Sequence, residues 1–282
     1  MTAVRRAAAI ATDLTCRAAG RRTVVRTARY VLSRARLDYP NDMSTNGESA
    51  LQRWVLRFSQ AGEQIHVADV GANVGRWSES MLAATSQAGR ETDLQLHAFE
   101  PDSLAFARLA EALAGRSARL SKTALSDRQG SSLLHVVAPG AGTNSLYAGP
   151  EANPVAQETV VTATLDSYAE QSGVARFALV KIDAEGHDLA VLHGARTLLA
   201  EHRIAAAQFE YNHRWILGRF YLRDAFEFLL ALGYLVGKVT PRGVEFYPGW
   251  DADLETFVEG NYLACDPDAA AKLPAVRWWK SE

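Results

Sequence analysis

The chain has 282 residues, of which 48% are hydrophobic and 22% are charged, a composition typical of a folded globular protein with one large domain and additions. The net charge of −2 lacks the basic excess of nucleic-acid-binding domains, so we expect no nucleic-acid partner. The two cysteines, Cys16 and Cys265, form neither a disulfide framework nor a zinc motif, and no apolar run approaches the ~20 residues of a membrane span. We therefore expect a cytoplasmic protein without a transmembrane segment.

Residues 1 to about 37, which we call the basic arm, have helical patterning and contain nine arginines against one acid, Asp13. Their apolar stretch is too short for the core of a secretory signal. Two interpretations stay open: a helix that contacts a membrane surface or a partner, and a pair of helices beside the domain with their arginines in water. A loop rich in turn-forming residues continues to Glu48. We predict a basic helical arm with its loop over 1–48 and the main domain over 49–282, starting with a helix.

The most informative stretch begins with the apolar, β-branched run 65–70, which predicts a buried parallel strand. The run stops in a loop that contains Gly71, Asn73 and Gly75, and a helical pattern follows. Glycine at such a junction permits a sharp turn and the close approach of a ligand. The strand, turn and helix together indicate a cofactor-binding loop.

Two positions in this loop distinguish between cofactors. The dinucleotide fingerprint G-x-G-x-x-G would place glycine at 73 and 76, where this chain has Asn73 and Arg76. Asp69, at the end of the strand, places a carboxylate beside the loop, which suits a cationic ligand. S-adenosylmethionine (SAM) carries an ammonium and a sulfonium but no phosphate, so we favour SAM and keep an NAD-dependent oxidoreductase as an alternative.

Acidic and polar residues follow the next two predicted strands. Glu100 comes after strand 94–99, where a carboxylate can accept hydrogen bonds from both ribose hydroxyls, or it only caps the following helix. A third strand over 119–125 leads to Ser126 and Asp127, which are placed to edge an adenine pocket. Asp127 fits a turn equally well.

The middle of the chain carries two extra strands, 132–137 and 159–165, around a polar loop over 139–154. The loop is either an element on the substrate side or disordered.

A second strand-to-helix junction follows, where the buried strand 177–182 ends at Asp183, and a fifth strand, 204–209, ends at Glu210. Because the carboxyl ends of parallel strands share one edge of a sheet, the acids at four strand ends should converge where ligands bind: Asp69, Glu100, Asp183 and Glu210. A helix over 222–232 and strands over 234–239 and 257–264 complete the pattern.

Taken together, these stretches resemble the FkbM-type SAM-dependent methyltransferases over about residues 46–264. The matching motifs are, in order, Asn46-Gly47-Glu48, Asp69-Val70-Gly71-Ala72-Asn73-Val74-Gly75, Phe99-Glu100-Pro101, Ala124-Leu125-Ser126-Asp127, and Val180-Lys181-Ile182-Asp183-Ala184-Glu185-Gly186-His187-Asp188 followed by Val191-Leu192-Gly194-Ala195. One position departs from the pattern, Asp188, where the family usually carries glutamate.

The resemblance implies an α/β, Rossmann-like class I methyltransferase fold. Such a fold has a seven-stranded, mostly parallel sheet with helices on both faces and a last strand that inserts antiparallel. The resemblance also implies O-methylation of sugars and natural-product hydroxyls, and it makes Glu48 a partner for the SAM ammonium.

Methyl transfer to an alcohol is faster when a general base removes the hydroxyl proton. His187 is our first choice for the base, although a histidine in a first helical turn is also explained as a polar surface residue. We predict His187, Asp183 and Glu210 as catalytic residues, with Glu185 as an alternative base. Asp183 and Glu210 also leave Mg²⁺ open as a second cofactor, but no ligand-spacing motif demands a metal.

We therefore predict a SAM-dependent O-methyltransferase that acts on a hydroxyl of a small molecule, a sugar or a natural-product scaffold. A SAM-binding or partner-binding module without catalysis is the alternative, and the sequence is compatible with a homo-oligomer. The predicted cofactor-binding residues are Glu48, Asp69, Gly71, Asn73, Gly75, Glu100, Ser126, Asp127 and Asp183.

Overall fold

The computed structural model describes residues 2–148 and 154–281, in two compact units, Met1–Pro40 and Asn41–Glu282. The first unit contains helices α1 (Ala3–Ala19) and α2 (Arg21–Ala35), which confirms the predicted helical extension. The second unit begins earlier than the boundary predicted after residue 48. Its extra residues belong there because the side chains of Asn46 and Gln208 both donate hydrogen bonds to the Glu48 carboxylate.

Strands and helices alternate through most of the second unit. The strands are β1 (Ile65–Val70), β2 (Leu94–Phe99), β3 (Ala118–Ser121), β4 (Ala124–Leu125), β5 (Gly130–Val136), β6 (Ala156–Ala163), β7 (Leu179–Ile182), β8 (Ala206–Tyr211), β9 (Leu235–Thr240), β10 (Gly243–Tyr247), β11 (Gly260–Cys265) and β12 (Ala275–Val276). The helices are α3 (Glu48–Val55), α4 (Arg76–Gln87), α5 (Ser103–Ala112), α6 (Leu165–Ser172), α7 (Asp188–His193), α8 (Arg196–Ala200), α9 (Trp215–Gly218), α10 (Leu222–Ala231) and α11 (Pro267–Ala270). Within the described residues, no helix is long and apolar enough to cross a membrane.

The central sheet has the strand order β3-β2-β1-β7-β8-β11-β9-β10-β12 over the described residues. Its first five strands pair in parallel, and β11 lies antiparallel between β8 and β9. This arrangement confirms the predicted seven-strand core with an antiparallel last strand. Strands β10, with five residues, and β12, with only two, extend the sheet at the β9 edge and were not predicted.

Helices cover both faces of this sheet, as predicted, because the strand side chains alternate between two hydrophobic clusters. Ile65 and Val67 of β1 pack in the cluster that includes residues of α3, α4 and α5. Ala68 and Val70 pack in the cluster that includes residues of α6, α7, α8 and α10. Burial on both faces explains why four of the six residues of β1 are apolar.

A second, smaller sheet has the order β4-β6-β5. The strand predicted over 119–125 is thereby divided, since β3 pairs with β2 in the central sheet while β4 pairs with β6. The loop predicted over 139–154 connects β5 to β6, and its residues 149–153 lie outside the described residues. The described part of this loop contacts the edge of the central sheet, where Ser145 Oγ donates a hydrogen bond to the Glu185 carbonyl at 2.8 Å.

Candidate functional site

The glycine loop after β1 is pressed against the end of β7. The backbone N–H groups of Gly71 and Ala72 both donate to the Phe99 carbonyl at 3.0 Å, which ties the loop to β2. Gly71 has φ of 74°, and a Cβ there would lie 1.9 Å from the Asp183 carbonyl oxygen. Only glycine fits this close approach, so the loop and the β7 end form one continuous wall.

Glu100 is held at the end of β2 by backbone donors. Its Oε2 accepts a hydrogen bond from the Asn73 N–H at 2.7 Å, and its Oε1 accepts from the Asp102 N–H at 2.8 Å. Asp102 caps helix α5 by accepting from the Ala105 N–H at 2.7 Å, so the N-cap of this helix is Asp102 and not Glu100. Burial raises the pKa of Glu100 to about 7, against the opposing effect of the two N–H donors. Each carboxylate oxygen retains acceptor capacity for a ligand hydroxyl.

These elements surround a cavity of about 280 Å³ at the carboxyl edge of the sheet, which we call the first cavity. Its wall combines apolar side chains with polar groups; the lining includes Phe99, Leu125, Leu134, Leu146, Gly71, Asn73, Glu100, Asp183, Glu185 and His187. Among the described residues, two of these wall residues have a buried polar atom without a hydrogen-bond partner, Asn73 Oδ1 and His187 Nδ1. An apolar slot with unsatisfied polar atoms beside a buried carboxylate fits a nucleoside such as that of SAM.

Asp69 lies at the end of β1, as predicted, but its carboxylate is fully buried and is not part of the first-cavity lining given by the described residues. Its Oδ2 accepts from Ser78 Oγ at 2.7 Å, and its Oδ1 lies 3.2 Å from Lys181 Nζ in an ion pair without hydrogen-bond geometry. The cation beside Asp69 is therefore a lysine of the protein. That lysine also contacts Asp183 and the Gly71 carbonyl, so it connects Asp69 to the wall of the first cavity.

Lys181, to which our sequence analysis gave no role, contacts two wall residues of the first cavity, Gly71 and Asp183. Its buried Nζ lies 3.4 Å from Asp183 Oδ2 and donates to the Gly71 carbonyl at 3.3 Å. Burial alone lowers the pKa of Lys181, but the carboxylates of Asp69 and Asp183 hold it above its ordinary value. The signal was a charged residue inside an otherwise apolar strand, because such a residue is rarely buried without a partner.

Glu48 and Gly75 are also outside the first-cavity lining given by the described residues. The Glu48 carboxylate is buried and accepts from Gln208 Nε2 at 2.7 Å and from Asn46 Nδ2 at 2.8 Å. Gly75 precedes α4 with φ of 89°, and a Cβ there would lie 3.0 Å from Leu109 Cδ1 of α5. Gly75 therefore permits helix packing and a turn, whereas the Glu48 carboxylate is bound by amide side chains.

Ser126 and Asp127 line a neighbouring second cavity of about 320 Å³. Leu146 and His187 line both cavities. Ser126 Oγ donates to Asp127 Oδ1 at 3.0 Å and lies 2.9 Å from His187 Nε2. The residues predicted to edge the adenine pocket are thus connected to the first cavity through His187.

His187 is an almost fully buried imidazole. Its ring lies 5.1 Å from the ring of Tyr147, between centroids, and burial lowers its pKa to about 4 despite the opposing charge of Asp127. The ring is uncharged at neutral pH and is a weak proton acceptor. This environment favours a ligand-binding role over the predicted role of general base.

Three carboxylates converge beside the first cavity, and we call them the acid cluster: Asp183, Glu185 and Glu210. Their nearest oxygens lie within 4.8 Å of one another. Asp183 and Glu210 therefore meet as the strand order predicted, and Glu185 joins them from the turn after β7, where it has φ of 54°. Asp188 holds this turn, since its buried carboxylate accepts from the N–H groups of Ala184 and Gly186.

The environment makes two members of the acid cluster, Glu185 and Glu210, more basic than free carboxylates. Burial, and next the charge of Asp183, raise the pKa of Glu185 to about 8 although Glu185 pairs with Arg214. Burial also raises the pKa of Glu210, with Asp183 as the next cause. Glu210 accepts from Asn212 Nδ2 at 2.5 Å. Crowded carboxylates of this kind share protons and can take one up near neutral pH.

Comparisons with known proteins address the family. The Methyltransferase FkbM domain family matches residues 69–236, which is more than half of the chain. A search of curated proteins found no match to this chain. A precorrin-6y C5,15-methyltransferase from Geobacter metallireducens is 13% identical over 77% of this chain and 87% of that chain, with a TM-score of 0.40. A TehB-like SAM-dependent methyltransferase from Corynebacterium glutamicum is 13% identical over 86% and 96% of the two chains, with a TM-score of 0.39. A SAM-dependent methyltransferase from Agrobacterium tumefaciens is 9% identical over 78% and 62%, with a TM-score of 0.41.

At these identities the assignment depends on the family match and on the strand order, and not on the solved structures. The match covers the glycine loop, Glu100 and the acid cluster, which are the features that form the first cavity. It decides the choice between SAM and NAD in favour of SAM. The chain belongs to the FkbM methyltransferase family and is a SAM-dependent methyltransferase.

Proposed function

We propose that this protein is an O-methyltransferase that acts on a hydroxyl of a small molecule, a sugar or a natural-product scaffold. The observation that carries the proposal is the acid cluster beside the first cavity, where burial raises the pKa of Glu185 to about 8. An alcohol is a poor nucleophile until its proton is removed, and a base that titrates near neutral pH suits that task. The cluster supplies such a base.

The first cavity supports the cofactor part of the proposal. Glu100 would accept hydrogen bonds from the ribose hydroxyls, and the apolar walls at Phe99 and Leu125 would contact the adenine. The unpartnered Oδ1 of Asn73 and Nδ1 of His187 would bind polar groups of the same ligand. Glu48, which lies outside this lining, is kept as a partner of the SAM ammonium on family resemblance alone.

The chain's own residues would do two things in the reaction. Lys181 would hold the glycine loop and the β7 end together through its contacts with Gly71 and Asp183. The acid cluster would accept the proton of the acceptor hydroxyl while the hydroxyl oxygen forms its new bond to the methyl carbon. SAM, when bound, supplies a methyl group already attached to a good leaving group, so the protein contributes mainly positioning and proton removal.

The acid cluster also has the oxygen donors that Mg²⁺ prefers. A metal there would lower the pKa of a bound hydroxyl and would make the same carboxylates ligands instead of a base. Chelation separates the two mechanisms. Turnover that survives EDTA supports proton transfer to the cluster, and turnover that is lost with EDTA and restored by Mg²⁺ supports the metal.

The proposed function is tested in two stages. Calorimetric titration of the intact protein with S-adenosylhomocysteine should show one binding site per chain. Incubation with SAM and a panel of glycosides and polyketide alcohols should then yield a product that is heavier by one methyl group, with NMR placing that group on oxygen. Binding without any product would favour the non-catalytic module, and a methyl group on carbon or nitrogen would contradict the O-methyltransferase.

A further inference from the structure

The basic arm has two chemically different faces. Apolar residues of α1 recur at intervals of three and four, which places them on one face of the helix: Val4, Ala7, Ala11, Leu14 and Ala18. The same spacing occurs in α2, at Val24, Ala28, Val31 and Ala35, with Leu32 beside them. Arginines occupy the opposite side of α2, at Arg22, Arg26 and Arg29. Both helices are therefore amphipathic.

Most side chains on these apolar faces are exposed to solvent, and Val24 is half-buried. Every residue of α1 and α2 is described, and none is buried. Val4 is 78% exposed, Leu14 is 58% exposed and Val31 is 59% exposed. Single exposed apolar side chains are common on protein surfaces, but a face made of them marks an interaction site.

The charge of the arm limits what can cover this face. Nine arginines against Asp13 give the arm a net charge of +8. Because the whole chain has a net charge of −2, the rest of the chain has a net charge of −10. A nucleic acid would pair with the arginines but would leave the apolar face in water. A second copy of the arm would bring together two strongly positive segments. An anionic lipid surface satisfies both faces, since phosphates bind arginine and the acyl boundary accepts apolar side chains.

We propose that α1 and α2 are a peripheral anchor that binds the surface of an anionic membrane. The helices lie in the plane of the interface, with Val4, Leu14 and Val31 inserted and the arginines at the phosphates. This proposal goes beyond the methyl-transfer function and does not depend on which molecule accepts the methyl group. Each arginine near the surface strengthens partitioning about fivefold, an effect that salt weakens.

The test is sedimentation of the full-length protein with lipid vesicles. Vesicles of phosphatidylcholine with phosphatidylglycerol should carry the protein into the pellet, and vesicles of phosphatidylcholine alone should carry at least about tenfold less. High salt should release it from the anionic vesicles.

Substitutions in α2 distinguish the contribution of the apolar face to vesicle binding from the contribution of the arginine charges. Val31→Asn removes an inserted side chain and should weaken partitioning about tenfold, whereas Thr23→Asn, at an exposed position off the apolar face, should leave it unchanged. Arg26→Gln with Arg29→Gln should weaken it about 25-fold on anionic vesicles only. Circular dichroism of each variant checks that the helices persist.

Three results would overturn the anchor. The first is no binding to the anionic vesicles. The second is equal partitioning of Val31→Asn and wild type, which would mean that charge alone attracts the arm. The third is self-association that Val31→Asn abolishes without vesicle binding, which would assign the face to a second copy of the chain.

Discussion

The two halves of the sheet edge hold their acidic groups in opposite ways. At the end of β2, the Glu100 carboxylate accepts hydrogen bonds from two backbone N–H groups, so a single acid is fixed by the main chain. At the ends of β7 and β8, three carboxylates of the acid cluster crowd against one another. We infer that the first half is built to bind and the second half is built to exchange a proton.

Asp183→Asn should have the largest effect, because Asp183 lies in the wall of the first cavity, pairs with Lys181 and belongs to the acid cluster. We expect turnover to fall about 10³-fold, within the range of a lost general base. The affinity for S-adenosylhomocysteine should fall about tenfold at most. Asp253→Asn, an exposed aspartate outside that lining, is the control and should leave both quantities unchanged. Equal losses in affinity and turnover would assign Asp183 to binding alone.

Glu100→Gln should weaken binding of S-adenosylhomocysteine about 30-fold, since an amide cannot accept both backbone N–H bonds and the ribose hydroxyls. At saturating SAM, kcat should stay close to that of the wild type, because both oxygens of Glu100 are held by backbone N–H groups and we assign this residue to ribose binding. Calorimetry and steady-state kinetics measure the two quantities. Glu111→Gln, an exposed acid on α5, is the matched control. A variant that binds S-adenosylhomocysteine normally but turns over slowly would contradict this assignment, because it would give Glu100 a role in the reaction instead of in binding.

Glu210→Gln should stabilise the fold at high pH. Burial raises the pKa of Glu210 above its ordinary value, so the folded chain holds this proton more tightly than the unfolded chain does. The resulting stability is fully present below the unfolded pKa and is lost as pH rises through the folded pKa. Relative to wild type, the variant should gain about 1 kcal/mol or more in unfolding free energy at about pH 8 and nearly nothing at about pH 4. Urea unfolding at both pH values measures the difference. An equal gain in unfolding free energy at both pH values would show that Glu210 does not have a raised pKa in the folded chain.

His187→Ala should have the smallest effect. A buried imidazole with a pKa near 4 contributes one hydrogen bond to a ligand, so we expect binding of S-adenosylhomocysteine to weaken about fivefold at nearly unchanged kcat. His202→Ala, a half-exposed histidine outside the linings of both cavities, should change neither. A loss of about 100-fold in kcat with normal affinity would instead restore His187 as the general base.

The cofactor half was predictable from sequence because its signals are local. β1 and β2 have the predicted bounds, 65–70 and 94–99, since each is a short buried run that stops at a glycine or an acid. The glycines and Glu100 then follow within a few residues. The role of Asp69 was not predictable in this way, because its partner is Lys181, which lies opposite it on β7 and is distant in sequence.

The acid cluster shows the same limit. Its residues were identified from strand ends, but the basicity of Glu185 depends on burial and on the charges of Asp183 and Arg214, which the fold brings together. His187 was ranked first as base because it follows a strand end that carries an acid. Its burial against Tyr147 and Ser126, which lowers its pKa, is a tertiary property that the sequence does not show. Sequence thus locates the groups, and packing sets their pKa values.

The pH dependence of kcat tests most directly whether the acid cluster accepts the hydroxyl proton. It is measured for wild type and Glu185→Gln with saturating SAM, an acceptor from the panel, and EDTA present. A protonated carboxyl cannot act as a base, so wild-type kcat should rise about tenfold per pH unit and level off near a pKa of about 8, and the variant should lose this inflection. A profile that is flat, or that inflects at the same pH in both proteins, would contradict the account.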